Sequence, residues 1–301
     1  MSEEPPKRRT VRMSLRLAML LVLLLAVWLG RQVNKAREQR VAVSNIARYG
    51  GWVHYDYEVA NGKVVGGRSP RAPEALRRQI GDEYFRDIVR VSLVYDDTTG
   101  KRFETTNIEP ADKLLASLRG MTKLKELLLQ GSQATDEGLK HVGAIASLEE
   151  LYIWNAAEIT DAGIAHLKDL KRLRVIHLDH SRVTDRALGA LAQLPALEEM
   201  ALQSNQFTDR GLDLLRGNRS LKKLCVGLGQ GKITDAGMEP VATLANLELL
   251  DIQGSEVTDA GLERLEAMPN LKEIWASRTR ITAGGANRIK AKRPNLKISG
   301  N

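Results

Sequence analysis

The chain has 301 residues, 43% of them apolar and 27% charged, with a formal charge of +8; these figures fit neither gross disorder nor a protein that crosses a membrane many times. Residues 1–40 hold nine Lys/Arg against three Glu and so carry +6 of that charge, leaving a nearly balanced remainder that argues against nucleic acid as a partner. A single cysteine, Cys225, excludes an internal disulfide and a cysteine-built zinc site.

Lys7, Arg8, Arg9, Arg12 and Arg16 precede an unbroken apolar run from Leu17 to Leu29, and Arg31, Lys35, Arg37 and Arg40 come after it. Such a run covers ~20 Å as a helix against a ~30 Å hydrocarbon core, a length that suits the core of a signal peptide. Two features oppose cleavage. Ala26-Val27-Trp28-Leu29-Gly30 places Trp and Leu where a cleavage site needs small residues, and Arg16 can snorkel so that a helix over 15–33 spans a slightly thinned bilayer. The sequence therefore predicts a basic tail at 1–14 and an uncleaved single-pass helix at 15–33, with a cleaved signal and a buried soluble helix as the alternatives. Five basic residues before the run and four after it place the amino terminus inside and the bulk of the chain on the extracytoplasmic side.

Beyond the span, Val33, Ala36, Val41, Val43 and Ile46 allow the helix to run on, its basic residues lying on anionic headgroups, until Gly50-Gly51 breaks it. Trp52 to Val59 alternates as a strand, Asn61-Gly62 makes a hairpin-type turn into Val64 and Val65, residues 66–73 form a loop, and Ala75 to Ile80 a short helix. This 34–83 unit is expected to cover the apolar end of the region after it.

From about residue 84 to 301 the chain repeats. The pattern L-x-x-L-x-L, a short loop and then T-D-x-G-L-x-x-L recurs seven times, with threonines at 135, 160, 184, 208, 234, 258 and 282, and imperfect copies at Ile88 to Leu93 and Leu296 to Ile298 flank it. The spacing of 24–26 residues and the T-D-x-G-L signature resemble leucine-rich repeat proteins. The resemblance implies an α/β solenoid with a curved parallel sheet on its concave face and helices on its convex face, preceded here by a transmembrane helix and a capping hairpin. The order of span, basic helix, Gly-Gly, Y-D-Y-E hairpin and repeats further resembles bacterial single-pass membrane-anchored leucine-rich repeat proteins.

The residues support that reading physically. Leucine pairs such as Leu127/Leu129 and Leu151/Ile153 alternate with exposed positions along one short strand per repeat. Ser132, Ser181, Asn205, Ser255 and Thr279 fall just after the strand, where small polar side chains can satisfy turn backbone, and each signature threonine suits a helix N-cap with aspartate in the first turn. Thr282-Ala283-Gly284-Gly285 lacks the aspartate, as suits a terminal repeat.

Alternation also defines the concave face. Its columns include Glu126, Glu150, Glu199 and Glu273, then Tyr152, His177, Cys225, Asp251 and Trp275, then Gln130, Trp154, Asp179, Gln203, Gly227 and Gln253. Only four aromatic residues lie beyond position 110, and three of them, Tyr152, Trp154 and Trp275, fall on this face, whereas Phe207 takes a core slot. Tyr152, Trp154, His177, Asp179 and His180 form the best cluster for binding a protein or peptide, and Glu126, Glu150, Gln203, Asp251, Gln253 and Trp275 extend it. The opposing reading is that the aromatics merely pack on neighbouring strands, and for isolated Trp275 that reading is the heavier one.

Chemistry finds little footing. His177 and His180 should point in different directions, and Asp179 and Asp251 sit three strands apart, ~14 Å at the usual strand spacing, too far for paired carboxylate catalysis. The run from Gly227 to Thr234 fails as a phosphate loop because Val226 stands at the first glycine position and Ile233 comes after the lysine; its glycines should widen one turn. Cys225 is expected to be a small exposed filler. No catalytic residue, metal or cofactor is expected, and the function implied is non-catalytic binding of a protein or peptide. An adaptor or substrate receptor of an enzyme complex, as similar repeats provide in ubiquitin ligases, and a self-associating envelope protein are the alternatives.

Overall fold

The structure, a computed structural model, describes residues 15–60, 63–65, 69–93, 111–130 and 134–300. The basic tail 1–14, the Asn61-Gly62 turn, Ser132 and part of the 66–73 loop lie outside the described residues.

A run rich in Leu, Ala, Arg, Met and Gln and free of proline makes α1 (Leu15–Arg48) a single rod that passes through Gly30 and the predicted end of the span without a break. It stops in a Schellman turn, in which Gly50 takes φ 68° and donates to the Ala47 carbonyl while the Gly51 N–H reaches back to Ile46. Its two halves differ. Residues from Leu15 to Val33 are largely exposed, whereas Ala36, Gln39, Ala42 and Ile46 are buried against the first repeat. Val33 and Val41, two of the apolar residues that let the helix run on, are exposed. Lys35 pairs with Asp87 at 2.5 Å and Arg40 with Glu83 at 3.0 Å, so these two cations are engaged by the protein itself rather than left for headgroups.

The strand predicted from Trp52 to Val59 divides in two. β1 (Trp52–Tyr55) lies antiparallel to the first solenoid strand, pairing Val53 with Val91, while β2 (Val59–Ala60) pairs with β3 (Lys63–Val64) in a separate ribbon. A turn at Asp56-Tyr57-Glu58 separates them, in which the Glu58 N–H donates to the Tyr55 carbonyl and the Glu58 carboxylate accepts from the Tyr55 N–H, both at 2.9 Å. Then come α2 (Glu74–Ile80) and a 3-10 turn (Asp82–Tyr84). β1 thereby closes the sheet edge that the first repeat would otherwise leave unpaired.

The solenoid strands run in order: β4 (Ile88–Ser92), β5 (Glu126–Gln130), β6 (Glu150–Trp154), β7 (Val175–Asp179), β8 (Glu199–Ala201), β9 (Lys223–Cys225), β10 (Leu249–Asp251), β11 (Glu273–Trp275) and β12 (Lys297–Ser299). All nine are parallel neighbours in chain order, and the register sets like positions side by side, for example Leu127 beside Leu151 and Tyr152 beside His177. Leu127, Leu129, Leu151, Ile153, Ile176 and Leu178 are at most 1% exposed, and Ile164 and Leu167 meet them from the helix side, so the core is one continuous leucine stack. The alternation read from the leucines is the observed one.

The helices are short: α3 (Ala111–Ser117), α4 (Asp136–Val142), α5 (Asp161–Ala165), α6 (Asp185–Leu191), α7 (Asp209–Asp213), α8 (Asp235–Val241), α9 (Asp259–Arg264) and α10 (Ala283–Lys292). From α4 to α10 a threonine precedes each in extended conformation, and all but Thr184 accept a backbone N–H with the side chain, as an N-cap should. The aspartates do more than favour the helix dipole. Asp112, Asp136, Asp161, Asp185, Asp209, Asp235 and Asp259 each accept the N–H and the hydroxyl of the threonine in the next repeat, at 2.6–3.0 Å, which joins the repeats by a ladder of carboxylates. The signature glycine belongs to the same device, since a Cβ on Gly163 would run into the Asp136 carboxylate; Ala187 shows that one repeat accommodates the methyl. Ala283 stands where the next aspartate would be.

A second ladder precedes the strands. Lys125, Glu149, Arg174, Glu198, Lys222, Glu248 and Lys272 alternate in sign from repeat to repeat, and four ion pairs link them: Lys125–Glu149 (2.9 Å), Arg174–Glu198 (3.0 Å), Lys222–Glu198 (3.3 Å) and Lys272–Glu248 (2.7 Å). Polar satisfaction in the turns is uneven. Asn205, 1% exposed, accepts from the Ser181 N–H and hydroxyl and donates to the Leu178 and Leu202 carbonyls, whereas the buried Ser255 hydroxyl has no partner among the described residues. The glycines after β9 lie in the longest repeat, 26 residues from Thr208 to Thr234, and they also allow close packing. A Cβ on Gly229 or Gly231 would strike the Asn205 or Phe207 backbone, so they let this loop press against the repeat before it.

Candidate functional site

The strands β6 and β7 bring the predicted cluster together. Tyr152 and Trp154, two apart on β6 and so on the same face, stack with centroids 5.7 Å apart and planes at 20°. His177 on β7 meets Tyr152 edge-on at 4.7 Å and Trp154 at 6.5 Å. The imidazole Nε2 donates to Glu199 Oε1 at 2.8 Å, and Lys223 reaches the other oxygen at 2.8 Å. These two donors hold the Glu199 carboxyl down at about 2. The Tyr152 hydroxyl donates to Glu150 at 2.8 Å, and burial together with that carboxylate pushes the phenol well above its ordinary 10.

The glutamate column is therefore not a free acidic strip. Glu126 pairs with Arg90 at 3.2 Å, Glu150 serves Tyr152, Glu199 is shared by His177 and Lys223, and Glu273 accepts from the Trp275 indole at 2.8 Å. Trp275, far along the sheet from the cluster, turns to its own strand neighbour. The packing reading thus describes Trp275, and in part Tyr152, while Trp154 remains half-exposed beside a pocket.

That pocket, of about 430 Å³, opens at the carboxyl ends of β6 to β9 and is lined by Trp154, Asn155, Asp179, His180, Gln203, Ser204 and Leu228. Asn155, His180, Ser204 and Leu228 are the residues next after the last concave column, and each adopts φ of 56–59°, so the chain turns out of the sheet at one level and builds a rim. His180 sits on this rim and lines the pocket, whereas His177 lies on the sheet and is engaged by Glu199. Asn155, Ser204 and Leu228 were missed; extending the repeat alignment by one position places them.

Gln203 ties the floor together. Its N–H donates to Asp179 Oδ1 at 3.0 Å, and its side-chain Nε2 reaches over β9 to Asp251 Oδ2. The span is open because Cys225 and Gly227 intervene, and a Cβ on Gly227 would press on the Asp251 carboxylate. Asp251 is fully buried, its second oxygen taken by the Gln253 N–H at 2.9 Å. Two expectations are corrected here. Asp251 is a structural strut and not an exposed ligand contact, and Cys225 is 8% exposed rather than an exposed filler. Burial, helped by Asp251 and Glu199, pushes the Cys225 thiol up to about 12. Burial also raises the Asp179 carboxyl, which is half-buried and keeps Oδ2 without a hydrogen bond among the described residues. Of the remaining predicted positions, Gln253 contributes through its backbone, and the Gln130 side chain lies outside the described residues.

A parallel sheet stacked in chain order, one strand and one short helix per 24–26 residues, and a turn ladder of threonine and aspartate define a leucine-rich repeat solenoid. No protein-family model matches the sequence, and no curated protein is similar to it. Solved structures similar to it include internalin C2 of Listeria monocytogenes, 25% identical over 54% of this chain and 66% of that one with a TM-score of 0.44. Another is a leucine-rich repeat protein of Leptospira interrogans, 20% identical over 61% of this chain and 50% of that one with a TM-score of 0.45. The chain thus spans just under two thirds of the first and half of the second.

Proposed function

We propose that this chain is a single-pass membrane-anchored leucine-rich repeat protein that binds a protein or peptide on its concave face and carries out no chemistry of its own. The observation that carries the reading is convergence. Of the four aromatic residues beyond position 110, two stack on one face of a single strand and engage His177, and one of them, Trp154, forms a wall of an open recess on that face.

In this reading residues 15–33 span the bilayer, 34–83 form the cap and 84–301 the solenoid. α1 supports it: its most apolar 18-residue window has mean hydropathy 1.8 and none of it is buried in the protein. The excess of basic residues before the span argues for an inside amino terminus and an extracytoplasmic solenoid.

Peptides selected from a random display library on the full chain in non-ionic detergent test the binding reading. They are expected to lose affinity at least ~10-fold for the Tyr152→Ala/Trp154→Ala double variant; selected peptides that bind both proteins equally would sink it. Protease digestion of intact and permeabilised cells tests the sidedness, with degradation in intact cells expected.

A further inference from the structure

The pocket beside Trp154 is lined by acceptors, with His180 as its one basic side chain and neither lysine nor arginine among its walls. Asp179 spends Oδ1 on the Gln203 N–H and leaves Oδ2 free. Gln203 spends its side-chain amide on Asp251, which orients its carbonyl and leaves Oε1 without a hydrogen bond among the described residues. Lys223 is engaged by Glu199 at 2.8 Å, and Arg182 by Glu158 at 3.6 Å. Neither lines the pocket. Tyr152 covers one side of the Trp154 indole by stacking, and the indole itself forms a wall of the recess.

An electron-rich ring, a carboxylate oxygen and an amide carbonyl around one open space suit a flat cation. We propose that this pocket takes an arginine side chain of the bound peptide, the guanidinium lying against Trp154 and donating to Asp179 and to the Gln203 carbonyl. This deepens the peptide-binding reading and rests on it. A guanidinium fits better than an ammonium because it offers several N–H groups in a plane, and the two acceptors belong to different residues. The acceptors are also held in place beforehand, since Gln203 is gripped at its backbone by Asp179 and at its amide by the buried Asp251. Partial burial adds to the argument: it raises the Asp179 carboxyl although His177 and His180 act the other way, so this carboxylate gains from a further cation brought to it.

The experiment uses the full chain in non-ionic detergent and three probes: acetyl-Gly-Arg-Gly-amide and its citrulline and glutamate counterparts. Citrulline keeps the shape and most donors of arginine and removes the charge. The chain has four tryptophans, so four indole N–H resonances are expected, and Trp154→Phe assigns the relevant one. The arginine peptide is expected to shift the Trp154 resonance saturably, with the citrulline peptide at least ~10-fold weaker and the glutamate peptide silent. Asp179→Asn, which keeps an oxygen for the Gln203 N–H and so the local fold, is expected to abolish the preference for arginine over citrulline, while the Trp275 resonance stays in place as the check on folding.

Equal binding of arginine and citrulline, stronger binding of glutamate, or no shift with any probe at about 20 mM would overturn the proposal. Each of those results leaves the concave-face reading to its own test, because library-selected peptides that depend on Tyr152 and Trp154 would still bind. Loss of those peptides as well would remove both.

Discussion

Asp136 accepts two hydrogen bonds from Thr160, one from the backbone N–H at 2.8 Å and one from the hydroxyl at 2.6 Å, and the two residues belong to consecutive repeats. Each T-D-x-G turn therefore takes its acceptor from the repeat before and supplies one to the repeat after. Stability in such a stack is a sum of units and their interfaces, and here the interface has a polar part that can be removed one rung at a time.

Asp185→Ala tests that rung in the middle of the solenoid. It strips the Thr208 N–H and hydroxyl of their acceptor, at 2.8 and 2.7 Å, and should cost about 1–3 kcal/mol. The urea midpoint of the full chain in detergent should fall, with Asp185→Asn losing less because one acceptor oxygen remains. A midpoint unmoved by the alanine variant would show that the ladder adds nothing to stability.

Glu199 gives a pH signature. Its carboxyl sits at about 2 in the folded chain against an ordinary 4.5, so its contribution is full above 4.5 and is lost as pH falls toward 2. Allowing for the solvent it still touches, Glu199→Gln should cost about 1–2 kcal/mol at neutral pH. By about pH 3 the gap between variant and parent should shrink to less than half; a gap that is constant from neutral pH to about pH 3 would mean that the ionised carboxylate is not the form His177 and Lys223 stabilise.

Cys225 should be inert while the protein is folded. With 8% exposure and a thiol held up at about 12, almost none of it is thiolate near neutrality. A thiol-specific chromophoric reagent at about pH 8 should react with the chain only after urea unfolding; rapid native labelling would contradict the packing of β9 under Gln203.

Leu228 holds φ 58° although it carries a branched side chain that is 42% exposed. A left-handed conformation costs a non-glycine residue about 1–2 kcal/mol, and little buried surface offsets it here. Leu228→Gly should therefore leave the urea midpoint equal or higher. A drop of more than about 1 kcal/mol would show that the side chain packs better than its exposure implies.

The repeats, the strand alternation and the threonine caps were legible in the sequence because each is written in local spacing. Leu127, Leu129 and Phe207 fell inside and Tyr152 and Trp154 on the open face for that reason alone. Spacing could not show the coupling between turns: the aspartate and the glycine of T-D-x-G look like neighbours on one helix, whereas each answers to a residue a full repeat away. Burial of Asp251 was hidden similarly, since it depends on Gln203 crossing a strand whose residues, Cys225 and Gly227, are small enough to let it pass. The division of the 52–59 strand was out of reach too, because alternation says which face a side chain takes and not which strand it pairs with.

The unbroken course of α1 has a mechanical meaning. Ile46, Lys35 and Arg40 clamp its second half to the cap and first repeat, so no slack segment separates the apolar first half from the solenoid. With that first half in a bilayer, as proposed, the two move as one lever. A span this short thins a thick bilayer around itself and tilts only where the bilayer is thinner than the span, and every degree of that tilt would swing the concave face by the same angle toward or away from the membrane surface. Lipid thickness would then set which way the pocket looks, a role that a flexible tether could not give it.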